Sequence, residues 1–153
     1  MITCTKRYDD LPFAHRQPKH DGHCAWIHGH NWGFEFEFGC TRLDECGFVI
    51  DFGKLKWLKS WIEERFDHTL LLNADDPMLP YLRSALDSQP GERYNCLLAK
   101  IVVVPDCSSE GLAKWLLEHA NSVVQDNTEG RVFICRVTVI EDSKNSATVY
   151  LRQ

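Results

Sequence analysis

The chain has 153 residues, of which 44% are hydrophobic and 25% charged, and this composition excludes a disordered tail or a low-complexity linker. Its 17 basic and 22 acidic residues give a net charge of -5, which argues against binding to a nucleic-acid backbone. No run reaches the ~18 apolar residues of a membrane span, and residues 1–7 lack the order of a signal peptide. We therefore expect one domain over residues 1–153, located in the cytoplasm, with no nucleic-acid or membrane partner.

Two strands are predicted in the first third of the chain. Residues 2–8 are typical of a short strand. Between residues 28 and 38, aromatic side chains such as Phe34 and Phe36 alternate with acidic ones such as Glu35. This period of two indicates a strand with one face in the core.

Three helices are predicted from their N-terminal caps and from apolar residues at helical spacing. The first follows Asp51, and the second begins at Asp76 and ends before residues 89–91. The third begins at Ser108 or Ser109, either of which can cap it.

Further strands are predicted at residues 101–104, 132–141 and 147–151, and residues 142–146 form a hairpin loop between the last two. Together with the helices, they predict an α+β domain. Its antiparallel sheet is expected to be covered by helices on one face.

Histidines are concentrated in one part of the sequence, where five of the seven lie within sixteen residues. Two of them, His28 and His30, are separated by a single residue. In a strand, side chains at i and i+2 point to the same face, so these imidazoles can bind one divalent metal together. Imidazole ligands favour zinc, although copper, nickel and iron also accept them. The alternative is a strand whose two histidines face solvent or stack on aromatic rings.

A metal site needs a third ligand, and the spacing leaves three histidines open. His15 can reach the pair if its strand lies beside theirs, but His20 and His23 are not excluded. Three histidine ligands would leave a fourth coordination position open, as catalytic zinc sites do.

Cys24 lies four residues before His28, close to the expected metal. Nearby positive charge favours the thiolate, so Cys24 can be a base, a nucleophile or a fourth metal ligand; otherwise it is an inert buried thiol. The odd number of cysteines, none of them in a Cys-x-x-Cys pair, favours free thiols over disulfides. The remaining cysteines are interpreted as inert: Cys4, Cys40, Cys46, Cys96, Cys107 and Cys135.

Three acidic residues have positions that suit a functional role. Asp67 precedes His68, and a carboxylate beside an imidazole can orient it for proton transfer, although such a pair is also common at helix ends. Glu110 falls in the first turn of a predicted helix, where a carboxylate is favourable in any case. Glu141 shares a strand face with Val139, so either the strand end is frayed and Glu141 lies in water, or its carboxylate is partly buried. A buried carboxylate would need N–H donors such as those on the edge of a guanine or a pterin.

Six blocks of sequence, in this order and over nearly the whole chain, resemble the 6-pyruvoyl-tetrahydropterin synthase family. The blocks are Phe13-Ala14-His15-Arg16, Cys24-Ala25-Trp26-Ile27-His28-Gly29-His30-Asn31, Gly47-Phe48-Val49-Ile50-Asp51-Phe52, Asp67-His68 with Leu72-Asn73, Ser108-Ser109-Glu110 and Val139-Ile140-Glu141. The resemblance implies a tunnelling fold (T-fold), an antiparallel sheet carrying helices, with subunits joined edge to edge into a β-barrel ring. It also implies a homo-oligomer, a hexamer or tetramer, with zinc as cofactor and dihydroneopterin triphosphate as substrate.

The resemblance also assigns roles to individual residues. The zinc ligands of the family fall on His15, His28 and His30, and its proton-abstracting cysteine falls on Cys24. This assignment selects His15 where the spacing alone does not choose.

Further family roles fall on polar residues outside the histidine cluster. The Asp–His relay pair corresponds to Asp67 and His68, and the glutamate that anchors the pterin corresponds to Glu141. Ser109 and Glu110, at a helix start, are implied to line the substrate pocket. Which of the three carboxylates completes the relay to His68 stays open.

The short gap of three residues between Cys24 and His28 resembles the bacterial 6-carboxy-tetrahydropterin synthase branch of the family. This branch implies a lyase that converts 7,8-dihydroneopterin triphosphate to 6-carboxy-5,6,7,8-tetrahydropterin, acetaldehyde and triphosphate in 7-deazaguanine and queuosine biosynthesis. The alternatives are 6-pyruvoyl-tetrahydropterin synthase activity or a non-catalytic zinc-binding module. Residues 73–106 exceed the compact family pattern and are expected to add a helix and a short strand.

Overall fold

The computed structural model describes residues 1–87 and 99–152, which form one sheet with helices packed against it. The strands are β1 (Ile2–His15), β2 (His28–Cys40), β3 (Thr69–Asn73), β4 (Lys100–Val104), β5 (Phe133–Ile140) and β6 (Ser146–Tyr150). The α-helices are α1 (Lys56–Phe66), α2 (Leu79–Asp87) and α3 (Ser109–Asn127), and short 3-10 turns cover His23–Ala25 and Phe52–Lys54. The strand order is β4-β3-β1-β2-β5-β6. None of the helices in the described ranges has the length and hydropathy to cross a bilayer.

The antiparallel pair of β1 and β2 is the longest element of the sheet. Its register runs from Ile2 opposite Cys40 to His15 opposite His28. The predicted strand ends at residue 8, and the residues beyond it include Asp9, Asp10 and Pro12, which have low strand propensity. A bulge absorbs this stretch, and Asp10 there adopts a φ of 61° while pairing with β2 resumes beyond it. The strand therefore continues to His15.

The predicted antiparallel pairing is found between β1, β2, β5 and β6, whereas β3 and β4 pair in parallel, so the sheet is mixed. β3 runs parallel to β1 at Phe13 and Ala14, and β4 runs parallel to β3 along its whole length. β3 escaped sequence prediction because all five of its residues are buried, so it shows no alternation of apolar and polar side chains. The chain between β3 and β4 contains α2, a crossover of the kind that parallel strands require.

Helices α1 and α3 cover one face of the sheet, as predicted, whereas Leu79 at the start of α2 packs against Leu70 and Leu72 on the other face of β3. Alternate residues of β2 point toward α1 and α3 and are completely buried: Trp32, Phe34, Phe36 and Phe38. From the helices, Leu58 and Ile62 of α1 and Leu112 and Leu116 of α3 join the same core. Each fully buried side chain of this size contributes about 1.5–3 kcal/mol, so this layer fixes the orientation of β2. The other face carries Glu35 and Glu37, both paired with Arg136.

The caps of the three helices were predicted with mixed success. Ser108 caps α3, and its hydroxyl accepts a hydrogen bond from the N–H of Gly111 at 3.0 Å, which confirms the predicted start. Asp51 instead caps the 3-10 turn that precedes α1. Asp76 accepts from the N–H of Met78 just before α2. The predicted stop at residues 89–91 and the predicted inert Cys96 lie outside the described residues.

Candidate metal centre and active site

Three histidines meet where β1 ends and β2 begins. The register places His15 opposite His28, and Phe13 opposite His30. A ligand nitrogen from each histidine lies within 4.8 Å of the other two. The ring centroids of His15 and His28 are 4.6 Å apart, and those of His28 and His30 are 5.0 Å apart. The long β1–β2 ladder therefore gathers three imidazoles at one point.

The two histidines that spacing could not exclude lie elsewhere. His20 and His23 are exposed, with ring centroids 6.4 Å apart, and neither is in a metal-binding group among the residues that the structure describes. The structure thus brings His15, and not these two, to the pair in β2.

Hydrogen bonds to backbone carbonyls fix the orientation of two of the rings. Nδ1 of His15 donates to the carbonyl of Cys107 at 2.9 Å, and Nδ1 of His28 donates to the carbonyl of Trp26 at 2.7 Å. An imidazole that donates from Nδ1 keeps a lone pair on Nε2, which is the arrangement of a histidine metal ligand.

Buried nitrogen atoms without partners indicate what the cluster can bind. Nε2 of His15 and Nε2 of His30 are both buried, and neither has a hydrogen-bond partner within residues 1–87 and 99–152. Buried polar atoms nearly always have a hydrogen-bond partner, so two neighbouring nitrogens without one indicate a ligand-binding site. A metal cation fits this site, because both atoms are imidazole nitrogens.

The electrostatic environment of His15 suits metal binding. Its side chain is 4% exposed, and burial lowers its pKa, while the hydrogen bond to the Cys107 carbonyl acts in the opposite direction. The neighbouring imidazoles of His28 and His30 lower the pKa further. His15 is therefore neutral near pH 7, and the neutral imidazole is the form that coordinates metals.

Glu141 lies beside this cluster, one residue beyond the end of β5. Its Oε1 is 3.2 Å from Nε2 of His30, and its Oε2 accepts a hydrogen bond from the hydroxyl of Ser109 at 2.6 Å. The contact with His30 is close but lacks hydrogen-bond geometry, since that nitrogen has no hydrogen-bond partner among the described groups. Glu141 is thus partly buried and held in place, not frayed into water. Glu110, the next residue after Ser109, is exposed on the first turn of α3.

Cys24 lies in the 3-10 turn just before β2 and is partly buried. Its carbonyl accepts a hydrogen bond from the N–H of Gln17 at 2.8 Å, which ties this turn to the end of β1. Its sulfur is not among the ligand atoms that cluster within 4.8 Å in the described part of the chain. The chain therefore offers the centre three nitrogen ligands, and the sulfur of Cys24 is not one of the clustered ligand atoms.

Asp67 and His68 form the predicted pair. Nδ1 of His68 is 2.8 Å from a carboxylate oxygen of Asp67, and the backbone N–H of His68 donates to the carbonyl of Pro12 at 2.8 Å. His68 has a φ of 54°, an unusual conformation for a residue other than glycine. The imidazole is 80% exposed, so within one chain the pair faces solvent and not the three histidines.

A polar cleft opens next to the histidine cluster, between β1, β2 and the turn after β5. Its volume is about 450 Å³, within the range of small-molecule sites. Both His30 and Glu141 line it, so a molecule in the cleft would contact the cluster and the carboxylate together.

The loop before α3 has a role that its sequence does not reveal. Cys107 is interpreted as inert from the sequence, and in the structure burial raises the pKa of its thiol to about 11, which disfavours the thiolate. Its carbonyl, however, is the partner of His15. A backbone contact of this kind leaves no trace in the residue type, so only the neighbouring helix cap at Ser108 could have drawn attention to the loop.

The mixed sheet with α1 and α3 packed on one face is that of a T-fold protein, and its histidine cluster could hold a metal ion. Residues 3–152 match the family model of 6-pyruvoyl tetrahydropterin synthase. The chain belongs to this family, which is a family of enzymes.

Relatives with assigned names point to one branch of the family. A segment of 77 residues is 43% identical to the 6-carboxy-5,6,7,8-tetrahydropterin synthase of Rickettsia conorii, and it covers 50% of this chain and 55% of that relative. The protein of the same name from Aquifex aeolicus is 28% identical over 126 residues, which cover 81% of this chain and 74% of that relative. The chain thus matches little more than half the length of the Rickettsia protein.

Solved structures agree on the fold. An uncharacterized protein from Wolinella succinogenes superposes with a TM-score of 0.80 at 25% identity, covering 99% of this chain and 98% of the other. The 6-pyruvoyltetrahydropterin synthase of Plasmodium vivax superposes over the full length of both chains, with a TM-score of 0.67 at 20% identity. The second likeness supports the architecture alone.

Proposed function

We propose that the protein is a zinc-dependent lyase that converts 7,8-dihydroneopterin triphosphate to 6-carboxy-5,6,7,8-tetrahydropterin, acetaldehyde and triphosphate, in 7-deazaguanine and queuosine biosynthesis. The observation that carries this proposal is the three-histidine cluster with two unpartnered buried nitrogens beside a polar cleft. The bacterial relatives named 6-carboxy-5,6,7,8-tetrahydropterin synthase support the choice of reaction.

His15, His28 and His30 would hold the zinc ion. Neutral imidazoles are preferred zinc ligands, and three of them leave a coordination position for substrate. When bound, zinc supplies Lewis-acid polarisation of the hydroxyl oxygens on the substrate side chain. The position of Cys24 outside the cluster weighs against a closed structural site with four protein ligands.

The residues around the cluster supply binding and proton transfer. Glu141, braced by Ser109, would accept hydrogen bonds from two N–H groups on the pterin edge and hold the substrate side chain over the histidines. Cys24, as thiolate, would take a proton from the side-chain carbon. His68, oriented by Asp67, would deliver a proton on the opposite side.

A homo-oligomer would account for the exposed position of this relay pair. Before Phe13, β1 pairs only with β2 among the described strands, and β6 forms an edge of the sheet. Open edges of this kind favour pairing with another subunit. In an edge-to-edge ring, the Asp67–His68 pair of one subunit would serve the cleft of its neighbour.

The state of the cysteines suits the proposed location. All six cysteines in the described ranges are free, and free thiols persist in a reducing compartment such as the cytoplasm.

Product analysis tests the proposal directly. Zinc-loaded protein is incubated with 7,8-dihydroneopterin triphosphate, and the products are identified by mass spectrometry, with metal-stripped protein as control. Acetaldehyde together with 6-carboxy-5,6,7,8-tetrahydropterin supports the proposal. The pyruvoyl compound alone would assign the sister activity of the family, and no turnover by zinc-loaded protein would refute the proposed reaction.

A further inference from the structure

The loop that joins β4 to α3, together with the first residue of α3, contacts His15 directly and His30 through Glu141. The carbonyl of Cys107 accepts from Nδ1 of His15 at 2.9 Å. Two residues later, the hydroxyl of Ser109 donates to Glu141, whose other carboxylate oxygen is 3.2 Å from Nε2 of His30. The position of this one loop therefore affects both histidines.

Asn73, the last residue of β3, holds the loop in place. Its Oδ1 accepts a hydrogen bond from the N–H of Cys107 at 2.7 Å, so the same residue is held at its N–H by Asn73 and at its carbonyl by His15. Asn73 is 6% exposed and Cys107 is fully buried, so water cannot readily replace this bond.

The amide of Asn73 is itself held in one orientation. Its Nδ2 donates to Oε1 of Gln17 at 3.3 Å, and Nε2 of Gln17 donates to Asp106 at 3.0 Å. Asp106 precedes Cys107, so these hydrogen bonds form a closed circuit of Asn73, Gln17, Asp106 and Cys107. A purely apolar side chain at position 73 could pack there but would leave the N–H of Cys107 without a partner.

We propose that Asn73 is a positioning residue of the metal centre, which fixes the Cys107 backbone so that its carbonyl holds His15 with Nε2 turned toward His28 and His30. This inference rests on the proposed function, because it assumes that the three histidines bind a metal. Asn73 does not touch the metal or the substrate and acts only through Cys107. Groups that hydrogen-bond directly to a histidine ligand typically contribute ~10- to 100-fold to metal affinity, and Asn73 controls such a group, the Cys107 carbonyl.

The test measures zinc affinity by competition with a chromophoric chelator, on proteins whose folding is verified by circular dichroism. Asn73→Ala removes the acceptor, whereas Asn73→Asp keeps an oxygen in the same place for the N–H of Cys107. Val124→Ala creates a cavity in α3 at a fully buried residue outside this circuit and serves as the control for general destabilisation. Should Asn73→Ala prove insoluble, Asn73→Ser takes its place, because its hydroxyl is too short to reach Cys107.

We expect N73A to bind zinc ~10- to 100-fold more weakly than the wild type, N73D to recover most of this loss, and V124A to bind as the wild type does. Unchanged affinity in N73A, or an equal loss in V124A, would overturn the positioning role while leaving the proposed function intact. Wild-type protein that binds no zinc would overturn the proposed function and the role of Asn73 with it. These failures are distinguishable because the wild type is measured in the same titration.

Discussion

Replacement of Cys24 by alanine should separate catalysis from metal binding. The sulfur lies outside the cluster of ligand atoms, so the zinc affinity of Cys24→Ala should stay close to that of the wild type. The turn around Cys24 is held by its backbone carbonyl, which accepts from Gln17 at 2.8 Å, and this bond survives the substitution. Fold and metal content should therefore be preserved.

Turnover should fall steeply in the same variant. Loss of a general base typically costs ~100- to 10,000-fold in rate, which corresponds to about 2.7–5.5 kcal/mol of activation free energy. The assay is product formation from 7,8-dihydroneopterin triphosphate under single-turnover conditions, with zinc content measured on the same sample. Cys46→Ala, which alters an exposed cysteine elsewhere, is the matched control.

Two results would contradict this reasoning about Cys24. Near-full activity in pure, zinc-loaded Cys24→Ala protein would remove the thiol from the mechanism. Loss of zinc by the variant would make Cys24 a metal ligand and would favour a structural site over a catalytic one.

Two further predictions concern the residues around the cluster. Burial lowers the pKa of His15, so the unfolded chain binds more protons than the folded one as the pH falls through the ordinary histidine value of about 6.5. The free energy of unfolding of the metal-free protein should therefore be smaller below that pH. In urea unfolding, the difference between pH 7 and pH 5 should be smaller for His15→Leu than for the wild type. An equal difference in both proteins would refute this role of His15. Ser109→Ala removes a 2.6 Å hydrogen bond to Glu141 and should raise KM about 10-fold with a smaller effect on kcat, since a bond to a charged group contributes about 1.5 kcal/mol or more. Steady-state kinetics measures both constants, and an unchanged KM would show that the hydrogen bond from Ser109 does not affect substrate binding by Glu141.

Local patterns in the sequence were sufficient to predict β2 and the start of α3. The alternation of aromatic and acidic residues in β2 reports directly which face is buried, and the cap at Ser108 is a contact between residues three apart. β3 could not be found in this way, because a strand with both faces covered has no period of two. Its parallel pairing depends on the course of the chain through α2, which no local pattern encodes.

In the candidate site, too, local patterns predict some features, whereas others depend on contacts between distant residues. His28 and His30 are neighbours in sequence, so their shared strand face follows from geometry alone. The choice of His15 required either the resemblance to the family or the β1–β2 register. The contacts of Glu141 with Ser109 and His30 join residues 32 and more positions apart, and only the folded chain reveals them.

The resemblance to the family implies that Asp67 and His68 act as a pair, and in the structure the two side chains are 2.8 Å apart. Their role as a relay stays a prediction, because the pair is exposed and separate from the histidine cluster within one chain. An exposed pair of this kind depends on what covers it, and a single sequence carries no direct information about that neighbour.

The β1–β2 ladder has a consequence for how the protein can diversify. All three clustered histidines come from sixteen consecutive residues, at the adjoining ends of two strands, and the carbonyl of Cys107 in a distant loop orients His15. The groups that would recognise a substrate, Glu141 and Ser109, come from segments distant in the sequence, and neither belongs to the three-histidine group. Substitutions at Glu141 or Ser109 can therefore change which molecule is accepted while the three histidine ligands themselves are retained.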